Sequence, residues 1–138
     1  MTDEALVAQK LAFIETCVEQ LRTMARPERI ATDVREERFV EHTLQLAIQA
    51  ALDVASHIVS DARLGEPTTN AELFDLLRRA GWIGEPQCAT LRKMAGFRNL
   101  VVHGYMAVDL AIVRSIVERN LDDLLAFATA IRTKLNAP

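Results

Sequence analysis

An arginine and a histidine five residues apart, followed closely by a tyrosine, are the residues of this chain best suited to chemistry. Residues 98–105 read Arg-Asn-Leu-Val-Val-His-Gly-Tyr, and Tyr105 is the single tyrosine of the sequence. Histidine can give or take a proton near neutral pH, because its ordinary pKa is about 6.5. Arginine stays charged and can hold two phosphate oxygens at once. The types and their spacing therefore fit cleavage of a phosphodiester bond.

Cleavage of RNA without a metal ion needs a base for the ribose 2′-hydroxyl, an acid for the leaving 5′-oxygen, and a cation for charge at phosphorus. Arg98 and His103 supply these types. One histidine cannot easily serve as acid and base at once. A two-fold dimer would bring two copies of the pair to one cleft. The chemistry therefore favours a homodimer.

The spacing of Arg98 and His103 is awkward for a shared site on one helix. Five residues turn an ideal helix by about 500°, which leaves the two side chains about 140° apart. Either the long arginine side chain wraps round the helix, or the helix loosens before Gly104. Each residue could also have an ordinary structural role. Arg98 could be a solvated charge, His103 a structural histidine, and Tyr105 a packing residue.

Chain length predicts a single domain, residues 1–138, and the predicted helices with their short connections favour an all-α antiparallel bundle of about five helices. Half of the residues are apolar, a quarter are charged, and there are only 4 prolines and 5 glycines. The net charge of −3 predicts no general attraction to nucleic acid, so RNA binding would need a local basic patch. Of the 16 basic residues only 3 are lysines and the rest are arginines. This excess of arginine fits either a phosphate-handling site or a coding bias.

The two cysteines, Cys17 and Cys88, fall on apolar helical stripes and are expected to be buried thiols. No Cys/His cluster has zinc spacing, so we predict no metal site and no cofactor. Neither a signal-peptide pattern nor an apolar stretch long enough for a membrane is present. We therefore expect a cytoplasmic protein without membrane contact.

Apolar periodicity and capping residues predict the helices. The first covers about residues 3–24 and the second about 34–60, capped by Asp33. A short third helix begins at Thr69, with Asn70 as an alternative cap. The fourth opens at Glu85-Pro86 and carries residues 98–105 near its end, and Asp109 caps a last long helix. A second apolar stripe is predicted to widen the buried side of the first helix: Leu6, Phe13, Cys17 and Met24.

The second helix carries a polar stripe in place of a charged outer face: His42, Gln45, Gln49, Asp53, Ser56 and Ser60. A solvated face usually carries Lys and Glu, so we expect this stripe to be covered by other helices, a second subunit or the active site. A mildly polar surface is the alternative. His42 and His57 are expected to be structural. Asp53 or Gln49 could brace Arg98 or His103.

The segment 98–105 resembles the Arg-x4-His-x-Tyr signature of the HepT-like toxins, a branch of the HEPN superfamily of helical ribonucleases. Arg98, His103 and Tyr105 occupy the motif positions, and Asn99 fits the residue common after the arginine. Chain length, helix order and the long second helix are also similar. The resemblance implies a HEPN-like fold.

The resemblance also implies a function. The implied protein is a metal-independent endoribonuclease that acts as the toxin of a toxin–antitoxin pair. Arg98 and His103 would be catalytic at a homodimer interface, supported by Asn99 and Asp53. The implied partner is an MntA-like minimal nucleotidyltransferase that uses ATP to place AMP on Tyr105 and silence the nuclease. The alternatives are a non-catalytic HEPN-like nucleotide-binding or helical partner subunit of a nucleotidyltransferase, in which Arg98 only holds a phosphate, and a purely structural helical dimer.

Overall fold

A computed structural model describes residues 2–104 and 108–137 of the chain, and this part is helical without a strand. The α-helices, in chain order, are α1 (Glu4–Met24), α2 (Val34–Asp61), α3 (Asn70–Arg79), α4 (Glu85–His103), α5 (Leu110–Ser115) and α6 (Leu121–Leu135). A short 3₁₀ turn (Pro27–Arg29) precedes α2, and a π turn (Ile116–Asn120) joins α5 to α6. Because α5, the π turn and α6 follow one another directly, the described residues form five helical rods. The predicted all-α bundle is confirmed.

Short polar side chains begin the helices as predicted. The Asp33 carboxylate accepts the backbone N–H of Arg35 at 2.9 Å, and Asp109 accepts that of Ala111 at 2.9 Å. The Thr69 hydroxyl accepts the N–H of Glu72 at 3.3 Å and caps α3. These bonds satisfy backbone donors that a helix leaves open at its first turn. Thr69 is thus the cap, and Asn70 is the first helical residue.

The core is centred on α2, which packs against α1, α3, α4 and α6. Small and branched side chains on α2 let the neighbouring helices approach it closely. Phe74 of α3 and Phe127 of α6 are fully buried and meet edge to face, with ring centroids 6.0 Å apart. Twelve residues of α2 are buried: Val40, Thr43, Leu44, Ala47, Ile48, Ala50, Ala51, Leu52, Val54, Ala55, Ile58 and Val59.

The predicted second stripe on α1 is wrong except for Cys17. Cys17 is buried, but Leu6, Phe13 and Met24 are 38%, 42% and 60% exposed. The helix packs mainly on α2 and α6, which cover only one of its sides. An apolar residue outside that contact stays exposed whatever its spacing.

The polar stripe of α2 is only partly covered by the other described helices. His42, Ser56 and Ser60 are exposed, and Gln45, Gln49 and Asp53 are half-buried. For the exposed part of the stripe, a second subunit, the active site and a mildly polar surface all remain open.

The last helix departs from the prediction of one regular α-helix. A π turn over Ile116–Asn120 interrupts it, with Ile116 and Val117 both buried. π turns occur often at functional sites. Among the described residues, no helix has the length and apolarity needed to cross a membrane.

Candidate active site

Helix α4 positions Arg98, Asn99 and His103, and it stays helical through His103. At its start the Gln87 side chain accepts the N–H of Gly84 at 3.4 Å, and Pro86 lies in the first turn. At its end Gly104 takes a left-handed conformation, φ +62°, and its N–H bonds the Leu100 carbonyl at 3.0 Å. The helix does not loosen before Gly104. Arg98 and His103 therefore leave different sides of α4.

The Arg98 side chain is half-buried and bends toward its neighbour in sequence. Its Nη1 donates to the side-chain oxygen of Asn99 at 3.0 Å. Asn99 and His103 are four residues apart and share one face of the helix. The guanidinium is thus drawn toward the face that carries His103, which is the wrapping considered from the sequence.

Asn99 is itself held from outside α4. The side-chain nitrogen of Asn70, at the start of α3, donates to the Asn99 oxygen at 3.3 Å. Asn99 therefore accepts from both Arg98 and Asn70 and links the two helices at this point. Sequence reasoning missed Asn70 because it considered the residue only as a cap. Its distance of 29 residues from Asn99 gives no local signal of the contact.

His103 is exposed at the last turn of α4. A substrate at this end of the bundle could therefore reach the imidazole. Tyr105 lies outside the described residues, so its predicted modification remains a prediction.

Asp53 and Gln49 form their own cluster on α2. The Asp53 carboxylate accepts from Gln49 Nε2 at 2.8 Å and pairs with Lys10 of α1 at 3.1 Å. Within the described contacts neither oxygen bonds Arg98, so the supporting role of Asp53 remains a prediction. His57 accepts the N–H of Asp3 at 3.0 Å, a structural role, and His42 is exposed.

Two buried side-chain atoms lack hydrogen-bond partners in the described part of the chain. They are Arg98 Nε, a donor on α4, and Gln49 Oε1, an acceptor on α2. Unsatisfied buried polar atoms are uncommon and costly. Arg98 thus keeps one buried N–H donor beside the motif that no described contact satisfies.

The cysteines are buried thiols, as predicted. Burial raises the pKa of Cys17. Burial, and then the Asp75 carboxylate that accepts from its Sγ at 3.4 Å, raise the pKa of Cys88. A raised pKa keeps a thiol protonated and weakly nucleophilic. The described residues contain no cluster of three or more His, Cys, Asp or Glu arranged to hold a metal ion.

Comparison with known proteins adds to this geometry. The sequence matches the ribonuclease HepT-like family over residues 14–131. The chain belongs to this family.

Members of the HepT-like family that resemble this chain carry nuclease names. An mRNA nuclease HepT of Shewanella oneidensis is 29% identical over 130 residues, which covers 94% of this chain and 98% of that protein. A tRNA nuclease HepT of Aphanizomenon flos-aquae is 32% identical over 74 residues, covering 54% of this chain and 50% of that protein. The two names differ in the class of RNA.

The fold is also similar to a solved HepT-like structure. A tri-AMPylated HEPN toxin from Shewanella oneidensis, in complex with MNT antitoxin, superposes with a TM-score of 0.86 at 30% identity. The match covers 96% of this chain and 99% of that chain. The HEPN-like fold is thereby confirmed.

Proposed function

We propose that this protein is the toxin of a toxin–antitoxin pair and that it cleaves RNA without a metal ion. In this proposal Arg98 and His103 are catalytic and a nucleotidyltransferase antitoxin neutralises the nuclease by placing AMP on Tyr105. One combination of findings carries the proposal. The Arg98 guanidinium is drawn toward the face of α4 that carries His103. The chain that holds this pair is nearly 30% identical, over most of its length, to an mRNA nuclease and to an AMPylated toxin.

The roles of the two side chains follow from their chemistry. The Arg98 guanidinium would bind the non-bridging oxygens of the scissile phosphate and stabilise the charge that develops there. One His103 imidazole would take the proton from the ribose 2′-hydroxyl. A second, protonated imidazole would give a proton to the leaving 5′-oxygen.

Two imidazoles require two copies of the chain. His103 is exposed at one end of the bundle, where the neighbouring Val102 is 42% exposed. Exposed apolar residues beside a polar site are typical of an interface. We place the homodimer contact at this end of α4, so that two His103 side chains face one cleft.

Adenylylation of Tyr105 offers a direct means of inhibition. Tyr105 is two residues from His103 in sequence. AMP would add bulk and a phosphate charge beside the cleft, which would block and repel the RNA backbone. An MntA-like antitoxin using ATP is the expected partner. Both RNA and ATP are cytoplasmic, and we place the protein in that compartment.

The modification can be tested by co-expression with an MntA-like nucleotidyltransferase. Intact-mass and peptide spectrometry should find AMP on Tyr105 in the parent and none in Tyr105→Phe. The Tyr105→Phe variant should remain an active nuclease in the presence of the partner. AMP found at another residue, or an inhibited Tyr105→Phe variant, would contradict the proposed role of Tyr105.

A further inference from the structure

A groove of about 670 Å³ lies between α4 and the helix that begins with α5 and continues into the π turn. Its walls are mostly apolar, and Leu100 and Ile112 on its two sides are 46% and 51% exposed. Polar side chains also line it, among them Lys93, Ser115 and Asn120. A concave apolar site with a few polar groups is typical of ligand binding.

The groove lies along the same side of α4 as the exposed histidine. Gly96 and Leu100 line it, and His103 follows them at positions i, i+4 and i+7 of one helix face. The rise of an α-helix places His103 about 4.5 Å beyond Leu100 and about 10 Å beyond Gly96. A chain bound at His103 can therefore continue directly into the groove.

We infer that the groove is a subsite for one unpaired base of the RNA, next to the scissile phosphate. This inference rests on the proposed nuclease function and adds to it a residue-level basis for sequence preference. Proteins recognise single-stranded RNA by packing its unstacked bases against side chains, often aromatic ones, and by hydrogen-bonding the base edges. Leu100 and Ile112 provide the apolar walls for the faces, and Asn120 and Ser115 the polar groups for an edge.

The polar groups are suited to these roles. The Asn120 side-chain nitrogen donates to Asp123 at 3.0 Å, which fixes the amide and leaves its oxygen as an acceptor for an exocyclic amine. Lys93 is exposed and forms no ion pair within the described residues, whereas its neighbour Arg92 is paired with Asp75. Lys93 is thus the cation available for a phosphate at the rim. The Asp109 carboxylate, also in the lining, accepts the N–H of Ala111 and caps α5.

Gly96 gives direct access to the groove by mutation. A Cβ added there meets no atom within 4 Å, and the residue is helical. Gly96→Leu should fill the groove without disturbing the core, and Gly96→Ala should leave it open and raise Tm, because alanine favours helix. Ala111→Leu adds comparable bulk at an exposed position of α5 that does not line the groove.

The test is binding of the full-length protein to short 2′-O-methyl RNA hexamers, which cannot be cleaved, by fluorescence anisotropy. Each hexamer is also made with an abasic site at one position in turn. We expect one abasic position to weaken binding to the parent by about ten-fold, because that base would no longer bury its faces against Leu100 and Ile112. Gly96→Leu should bind the intact hexamer more weakly than the parent by a similar factor. The variant should bind that abasic hexamer as well as it binds the intact one. Gly96→Ala and Ala111→Leu should match the parent.

Several results would overturn the inference. One is that the parent binds no hexamer, and another is that Gly96→Leu and Gly96→Ala bind the intact hexamer equally well. A third is that Gly96→Leu binds more weakly than the parent by the same factor with the intact and with the abasic hexamer. Loss of antitoxin binding by Gly96→Leu with unchanged hexamer binding would assign the groove to the protein partner. A parent that binds as expected but cleaves no RNA would contradict the nuclease proposal while leaving the base subsite in place.

Discussion

The Arg98 guanidinium donates to the Asn99 side-chain oxygen at 3.0 Å, although adjacent residues on a helix point about 100° apart. The bond draws the arginine round α4 toward the face shared by Asn99 and His103. Asn70 of α3 donates to the same oxygen at 3.3 Å and fixes it from the other side. Asn99 is thus placed to act as a positioning residue for Arg98.

Replacing Asn99 by alanine should lower the rate of RNA cleavage by about ten-fold while leaving the fold intact. The variant keeps the guanidinium but lets it return to its own side of the helix, so kcat should fall more than KM rises. Single-turnover cleavage of a fluorescent RNA measures this. Arg98→Ala should lose much more activity, and Asn70→Ala less. Asn99→Ala with full activity would remove Asn99 from the site.

The ion pair between α1 and α6 should contribute stability that is lost in acid. Arg132 donates to both carboxylate oxygens of Glu15, at 2.9 and 2.6 Å, and this hydrogen bonding lowers the pKa of Glu15. A lowered folded-state pKa means that the contribution is complete above the ordinary value of about 4.3 and disappears as pH falls through the folded value.

Urea unfolding of the parent and of Glu15→Gln checks this pH dependence. At pH 7 the variant should lose about 0.2–1 kcal/mol, since both side chains are partly exposed and solvent screens the pair. At pH 3 the difference should shrink toward zero. Glu19→Gln, at an exposed position of the same helix, should show no such change. A difference that grows in acid would contradict the assignment.

Neighbouring residues of α1 should differ sharply in their effect on stability. Ile14 is fully buried and Phe13 is 42% exposed. Ile14→Ala should cost about 2–5 kcal/mol, because it leaves a cavity in the core. Phe13→Ala should cost less than about 1 kcal/mol. Equal losses in chemical denaturation would show that another surface covers Phe13.

Both thiols should react slowly with a disulfide reagent in the folded protein. Burial raises the pKa of Cys17 and of Cys88, so little thiolate is present at neutral pH. We expect modification to be slower than in urea by about a hundred-fold or more. Asp75→Asn removes a carboxylate that raises the pKa of Cys88. The variant should therefore react faster at Cys88 and at an unchanged rate at Cys17. Fast labelling of native Cys88 in the parent would contradict this account.

Local signals predicted the helices and their caps, because the residues that make them lie within a few positions of one another. Asp33, Thr69 and Asp109 cap as expected. The exposure of Leu6 and Phe13 was not predictable, because it depends on which neighbours cover α1. The Asn70–Asn99 bond joins residues 29 apart, and the π turn follows a repeat that looks regular. The sequence placed Arg98 and His103 on one helix but could not tell how the arginine turns.

Incubation of the purified protein with total RNA, with and without a chelator, tests the central claim most directly. The parent should cleave RNA equally in both conditions. His103→Ala should cleave at least a hundred-fold more slowly, the loss expected for a proton-transfer group. Thermal unfolding of His103→Ala, measured alongside, checks that the variant is folded at the assay temperature. A His103→Ala protein as active as the parent would contradict the proposed mechanism.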